Sequence, residues 1–347
     1  MLRCLPRFFV GPLSALGLAC TLACSSAADR PPAVKAPQLR SAPVLDPSGC
    51  VWQPPVVLAA VKPADLSEIS GMAVSQRHQD HLWVHNDSGA DPQLALLQAD
   101  GQLRARLTLK DAPHTDWEAL ALGPCPPQLQ IPGELSACLW IGDIGDNDAL
   151  RDHVHLIAVR EPSLLPPLGS PDLTVAAKKG DWRSVEVQYP GGPRNAEALA
   201  LLPGGAALLF TKREDGRTEV FRAEALQAMA EKDDKIHALA LGTLSLAAAG
   251  VQAGAALRVT AADFEPQSQR LAVRTYGSVQ LFADALQLAA APTLTAAQLP
   301  QWQGLLLPSP PEPQGEALAW RGPQRWISIS EGKFPKIYQS ECLSVAP

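Results

Sequence analysis

The sequence predicts an all-β protein, a β-propeller of five four-stranded blades closed by pairing of its N- and C-terminal strands. Three observations point there: a phrase that recurs five times, a leftover apolar segment ahead of the first copy, and a cysteine at each end of the same stretch. Composition agrees. With 33 prolines and only 18% charged residues among 347, long solvent-facing helices and coiled coils are disfavoured, while a 46% hydrophobic content excludes a disordered polymer. A net charge of −6 with no long basic run excludes nucleic acid as a partner, because phosphate backbones need dense Lys and Arg.

The elements follow in chain order. Arg3 and Arg7 precede an apolar run from Phe8 to Ala23, the pattern of an export signal, assigned to residues 1–24. Cys20 follows Gly-Leu-Ala and Cys24 follows Thr-Leu-Ala. Both resemble lipoprotein cleavage boxes, and Cys24 is the expected lipidation site; cleavage near Ala28 instead would release a soluble chain. Residues 25–49 carry Pro31, Pro32, Pro37, Pro43 and Pro47 and suit an extended tether. Residues 50–347 then form a single domain. The chain is expected in the periplasm or at the outer membrane, touching lipid only through its N-terminal anchor, as a monomer. In such an oxidising compartment the body cysteines are read as disulfides, Cys125 with Cys138 across a hairpin and Cys50 with Cys342 across the domain ends.

The repeated phrase is a polar or acidic residue, a short apolar run, a turn, and a second run ending in polar residues. Its copies start at Ser70, Glu118, Glu197, Thr260 and Glu316, at intervals of 48, 79, 63 and 56 residues. Four short strands per unit with variable outer loops fit such intervals, as in propeller blades. Weaker runs supply third and fourth strands: Leu94–Leu97 and Leu103–Leu109, Val154–Val159 and Val185–Tyr189, Glu219–Arg222 and Ala238–Leu246, Val279–Phe282 and Gln303–Leu307. The fifth unit has only Lys336–Ser340, so Val51–Val61 is expected to complete it and bring Cys50 beside Cys342. The long spacers leave room for a sixth blade, and a two-domain β-sandwich is the rival architecture.

Innermost strands line the axis, so their first residues and the ends of the second strands gather at one mouth. That gathers Asp116, Glu118, Asp143, Asp146, Glu197 and Glu316 as oxygen ligands, with Lys212, Arg213 and Arg274 as cations. Clustered carboxylates repel unless a cation intervenes: either Lys212, Arg213 and Arg274 act as internal counter-ions or a divalent ion is bound, and oxygen-rich ligation suits Ca²⁺. A hydrated polar funnel with no bound ligand or cofactor is the other reading of the mouth. The partner is then a cation or a small molecule. The alternative is a Ca²⁺-dependent phosphoesterase or esterase-like hydrolase, in which the three cations hold anionic oxygens while His85 or Asp87 activates water.

The phrases Ile69-Ser-Gly, His85-Asn-Asp-Ser-Gly, Asp116-Trp-Glu, Gly142-Asp-Ile-Gly-Asp-Asn, Thr211-Lys-Arg-Glu, Arg274-Thr-Tyr and Gly315-Glu-Ala resemble an uncharacterised family of exported bacterial propeller proteins. More distantly they are similar to the phytase-like esterase and SdiA-regulated propeller groups. The likeness spans roughly residues 65–335. It implies a propeller with Ca²⁺ at the acidic mouth and, for the distant groups, ester or phosphoester hydrolysis. Ser70 and Thr260 depart from the acidic starts of the other units, so a symmetric ring of acids is not expected.

Other catalytic patterns are absent: no GxSxG elbow, no Walker loop, no GxGxxG and no HExxH occur. Asp143 and Asp146 either cap a tight turn or reach the axis. His153 and His155, two apart on a strand, share a face and are expected at the surface. Trp83, Trp140 and Trp326 occupy matching places and are expected between blades.

Overall fold

The structure is a computed structural model and describes residues 42–344 apart from 88, 90, 135–136, 164–172, 248–253, 284 and 287–303. The leader, most of the tether and Cys24 lie outside the described residues. The chain opens with β1 (Val44–Leu45), β2 (Cys50–Trp52) and β3 (Val56–Ala60). Blade one holds β4 (Ile69–Val74), β5 (His81–Asn86), β6 (Gln93–Gln98) and β7 (Leu103–Leu109). Blade two holds β8 (Trp117–Pro124), β9 (Ala137–Asp143), β10 (Val154–Arg160) and, after β11 (Leu173–Ala177), β12 (Trp182–Gln188). The third holds β13 (Ala196–Leu201), β14 (Ala207–Thr211), β15 (Arg217–Ala223) and, after helix α1 (Ala225–Glu231) and β16 (Lys235–His237), β17 (Leu239–Ser245). The fourth is β18 (Val259–Glu265), β19 (Arg270–Thr275), β20 (Ser278–Phe282) and β21 (Leu305–Leu307). The fifth is β22 (Gly315–Trp320), β23 (Arg325–Ser330) and β24 (Lys336–Ser344).

Both chain ends build the last blade. The first half of β24 pairs antiparallel with β3, Ile337 opposite Ala59, and its second half with β2, Cys342 opposite Trp52. The Cys50–Cys342 disulfide fastens this seam, with Cα atoms 5.4 Å apart, and Cys125–Cys138 ties β9 to the loop before it. The innermost strands β4, β8, β13, β18 and β22 pack in sequence, and β22 returns against β4. This is a five-bladed β-propeller. The sheet also takes in Val44–Leu45, ahead of the Cys50 at which the sequence places the domain start.

The core lies between blades. Trp83, Leu94 and Leu96 of blade one meet Trp117, Leu139 and Ile141 of blade two, all buried. Each such side chain contributes about 2 kcal/mol of apolar transfer, so the interfaces, rather than any single sheet, hold the ring. Trp140 and Trp326 are buried in the corresponding layers.

The long spacers do not hide a sixth blade. One sends β11 back to pair parallel with β7 on the outer edge of blade one, and the next sends β16 to pair parallel with β12. Each covers an edge that would otherwise offer unpaired backbone groups.

One irregularity is common to all five blades. The pairing of first with second strand skips a residue at the same place each time, and the skipped residues are Ser70, Glu118, Glu197, Thr260 and Glu316. A bulge leaves one residue out of the ladder and re-aims its side chain. The residues that open the five sequence phrases are thus the bulged residues.

Candidate functional site

The five bulged side chains form a buried belt at one mouth of the axis. They make the contacts open to their chemistry. Ser70 Oγ lies 2.9 Å from the Glu118 carbonyl and 3.0 Å from Glu118 Oε2, and Thr260 Oγ1 donates to the Gly315 carbonyl at 2.7 Å. These hydroxyls each stitch a blade to the next. The three glutamates carry the charge. Lys212 Nζ sits 3.0 Å from Glu197 Oε1, which also accepts from Asn195 Nδ2 at 3.1 Å. Glu316 Oε1 accepts from Gln314 Nε2 at 3.1 Å, while Glu316 Oε2 is buried without a hydrogen-bond partner. Gln314 Nε2 also reaches Glu331 Oε2 at 2.6 Å. Past the belt the axis narrows to a cavity of ≈ 10 Å³, the room of about one water, where Met72, Leu120, Leu199, Ala262 and Leu318 supply apolar walls.

Electrostatics follow from crowding acids around one cation. Burial, then Glu197, Asp87 and Asp116, hold the Glu118 carboxyl well above its usual range. Burial does the same to Glu316, with Glu331 and Glu197 adding to it and Lys212 opposing. Glu331 is pushed up to about 7 by burial and by Asp87 and Glu68. Burial works against the charge on Lys212, but Glu197, Glu316, Tyr276 and Glu118 outweigh it and raise the ammonium above its ordinary value. Its ammonium also stands 5.4 Å from the centre of the Tyr276 ring. The mouth therefore holds Lys212 charged and disfavours ionisation of Glu118 and Glu316.

The sequence-derived candidates separate into groups. Asp87, Asp116 and Glu118 come together: one carboxylate oxygen from each lies within 4.8 Å of the others. Gly145 makes room for them, since a Cβ there would stand 2.3 Å from Asp116 Oδ2 and 2.7 Å from Glu118 Oε1. Asp143 and Asp146 take the capping role. Asp143 Oδ1 accepts from the Asp116 and Thr115 amides at 2.7 and 3.1 Å, and its carboxylate pairs with Arg151. Asp146 accepts from the amides of Leu150 and Arg151, both at 2.9 Å.

The three cations go three ways. Lys212 joins the glutamates, whereas Arg213 pairs with Asp215 and Glu219 on the exposed flank. Arg274 is buried with Glu312, and the bare backbone of Gly315 makes space for its guanidinium. His85 is 1% exposed, held edge-on to Trp117 with ring centres 5.6 Å apart, and its Nδ1 donates to the Asn86 carbonyl at 2.8 Å. Burial lowers its pKa, keeping the imidazole neutral.

Comparison with known proteins adds the following. No family model matches the chain, and no curated protein matches it. Among solved structures it is similar to the PQQ-bound aldose sugar dehydrogenase of Streptomyces coelicolor, at 11% identity and a TM-score of 0.40, over 87% of this chain and 100% of that one. It is also similar to the Cps50 (Swd1) β-propeller domain of Myceliophteria thermophila, at 11% identity and 0.39, over 80% and 84% of the two chains. A gluconolactonase of Xanthomonas campestris gives 12% and 0.38, over 79% and 72%. Likenesses at these scores carry no argument about the chemistry of this chain.

Two site residues escaped the sequence reading. Asn195 and Gln314 each stand two residues before a bulged glutamate and donate to its Oε1 at the same 3.1 Å. Aligning the five phrases two residues further back exposes them, since Asn195-Ala-Glu197 and Gln314-Gly-Glu316 then superpose.

Proposed function

We propose that this chain is a cell-envelope propeller that binds a divalent cation of the Ca²⁺ type at its acidic axial mouth, through Asp87, Asp116 and Glu118. The observation that carries the reading is the approach of these three carboxylate oxygens to within 4.8 Å at a place where Gly145 leaves them room. Hard oxygen donors suit Ca²⁺ better than a soft transition ion, and a cation relieves the repulsion that Asp87 and Asp116 add to burial in raising the Glu118 pKa. Lys212 serves as internal counter-ion to Glu197. Binding is favoured over hydrolysis because Arg213 and Arg274, which an anionic substrate would need, are engaged with other carboxylates. The export signal, lipidation at Cys24 and a monomeric state belong to the same proposal; two disulfides support an oxidising compartment.

The test is thermal unfolding with Ca²⁺ or with EDTA. Saturating Ca²⁺ at about a hundred times its dissociation constant adds roughly 2.7 kcal/mol, so the melting temperature rises by several degrees, and Glu118→Gln or Gly145→Ala abolishes the rise. Identical melting in Ca²⁺ and EDTA sinks the reading. Turnover of a phosphomonoester or phosphodiester panel restores the hydrolase in its place.

A further inference from the structure

Blade two carries a second cluster that the axial mouth does not use. A row of residues crosses four of its strands: Asp143 on β9 stands opposite His155 on β10, His155 opposite Glu186 on β12, and Glu186 opposite Lys235 on β16. Cross-strand partners share a face, and His153, just ahead of β10, sits beside His155. The two imidazoles meet edge to face with ring centres 5.3 Å apart.

Each imidazole has a carboxylate at Nδ1. His153 Nδ1 is 2.6 Å from Asp152 Oδ1, and His155 Nδ1 is 3.5 Å from Asp143 Oδ2. For His153 that contact orients the ring and leaves Nε2 as the lone-pair nitrogen, as in carboxylate–histidine–metal relays, while the buried His155 Nδ1 makes no hydrogen bond. His153 Nε2 faces Glu186 Oε1 at 3.8 Å, while Lys235 holds the other oxygen, Oε2, at 2.8 Å. One ligand atom each from His153, His155 and Glu186 lies within 4.8 Å of the others. Around a tetrahedral ion with bonds of ~2.0–2.1 Å, ligand atoms sit about 3.3 Å apart, so small side-chain rotations close the set. The three side chains are 34%, 19% and 28% exposed, open enough for an ion to enter.

We propose that His153, His155 and Glu186 form a binding site for a borderline divalent transition-metal ion, with the fourth position left to water. Two imidazole nitrogens and one carboxylate oxygen are the donor set of Zn²⁺ rather than of Ca²⁺. The site is separate from the axial mouth, whose oxygen donors lie on other strands, although Asp143 stands between them, beside His155 and accepting from the Asp116 amide.

Titration calorimetry of the full, tag-free chain with Zn²⁺ tests it. One ion per chain is expected, with His153→Ala and His155→Ala each weakening it at least tenfold and Glu118→Gln leaving it unchanged. Co²⁺ added to the wild type is expected to give the intense visible bands of a four-coordinate ion, a readout that needs no variant to fold. Absence of stoichiometric Zn²⁺ uptake, absence of those Co²⁺ bands, or uptake undiminished in the double alanine variant overturns the proposal.

Discussion

Asp143 accepts two backbone amides and pairs with Arg151 while fully buried. Burial alone would raise its pKa, but the His155, Asp116 and Arg151 contacts outweigh it and hold the carboxyl at about 2, against an ordinary 3.8. A pKa lowered in the fold contributes stability that is complete above the unfolded value and is lost as pH falls toward the folded one. Asp143→Asn should therefore cost about 2 kcal/mol near neutral pH, shrinking between about pH 4 and pH 2, as read by urea unfolding across that range. Glu331 has the opposite sign. Raised from 4.5 to about 7, it imposes a penalty that is absent below the lower value and complete above the higher one. Glu331→Gln keeps an acceptor for Gln314, so its melting temperature should exceed wild type at about pH 8 and match it at about pH 4. An equal gain at both pH values would remove the electrostatic explanation. The acids themselves were legible in the sequence, but their roles were not. Asp143 and Asp116 read alike as acidic residues near strand ends, and only amides 27 and 28 positions away make one of them a cap.

At the scale of the strand, the repeated bulge is the device that assembles the mouth. It aligns five residues separated by dozens of positions and turns them out of their ladders. Glycines beside it serve close approach rather than turns. A Cβ on Gly71 would stand 2.1 Å from His85 Nε2 and 2.8 Å from the backbone nitrogen of Leu120, and one on Gly315 would overlap the Arg274 guanidinium. Gly315→Ala should therefore drive Arg274 off Glu312 and leave a buried charge unpaired, at a cost of about 3–5 kcal/mol. Denaturant unfolding checks this, and a variant within about 1 kcal/mol of wild type shows that the guanidinium has another place to go. The phrase was readable because one apolar–polar rhythm served every blade. The edge strands β11 and β16 were not, because parallel pairing with the preceding blade needs no local turn and leaves no signature in short apolar runs.

The whole ring depends on its seam. Cys50 and Cys342 are 292 positions apart, and cross-linking them removes the unfolded chain's largest loop freedom. Replacing both with Ser should lower stability by about 2–5 kcal/mol, measured by denaturant unfolding under non-reducing conditions. Unchanged stability would mean that β2 and β3 hold β24 without the bond. The sequence alone pointed to the seam, both cysteine pairs and a ring of five blades with room left for a sixth, because five similar phrases with one strand left over admit few closed arrangements; the tertiary structure fixed the number at five. Tertiary structure decided which acids meet. Radial position and bulge geometry set side-chain direction, and these place Asp87, Asp116 and Glu118 together while sending Arg213 and Arg274 to other partners. The physical reason is that hydrophobic rhythm is a property of neighbouring residues, whereas charge pairing depends on distances through space that only ring closure defines.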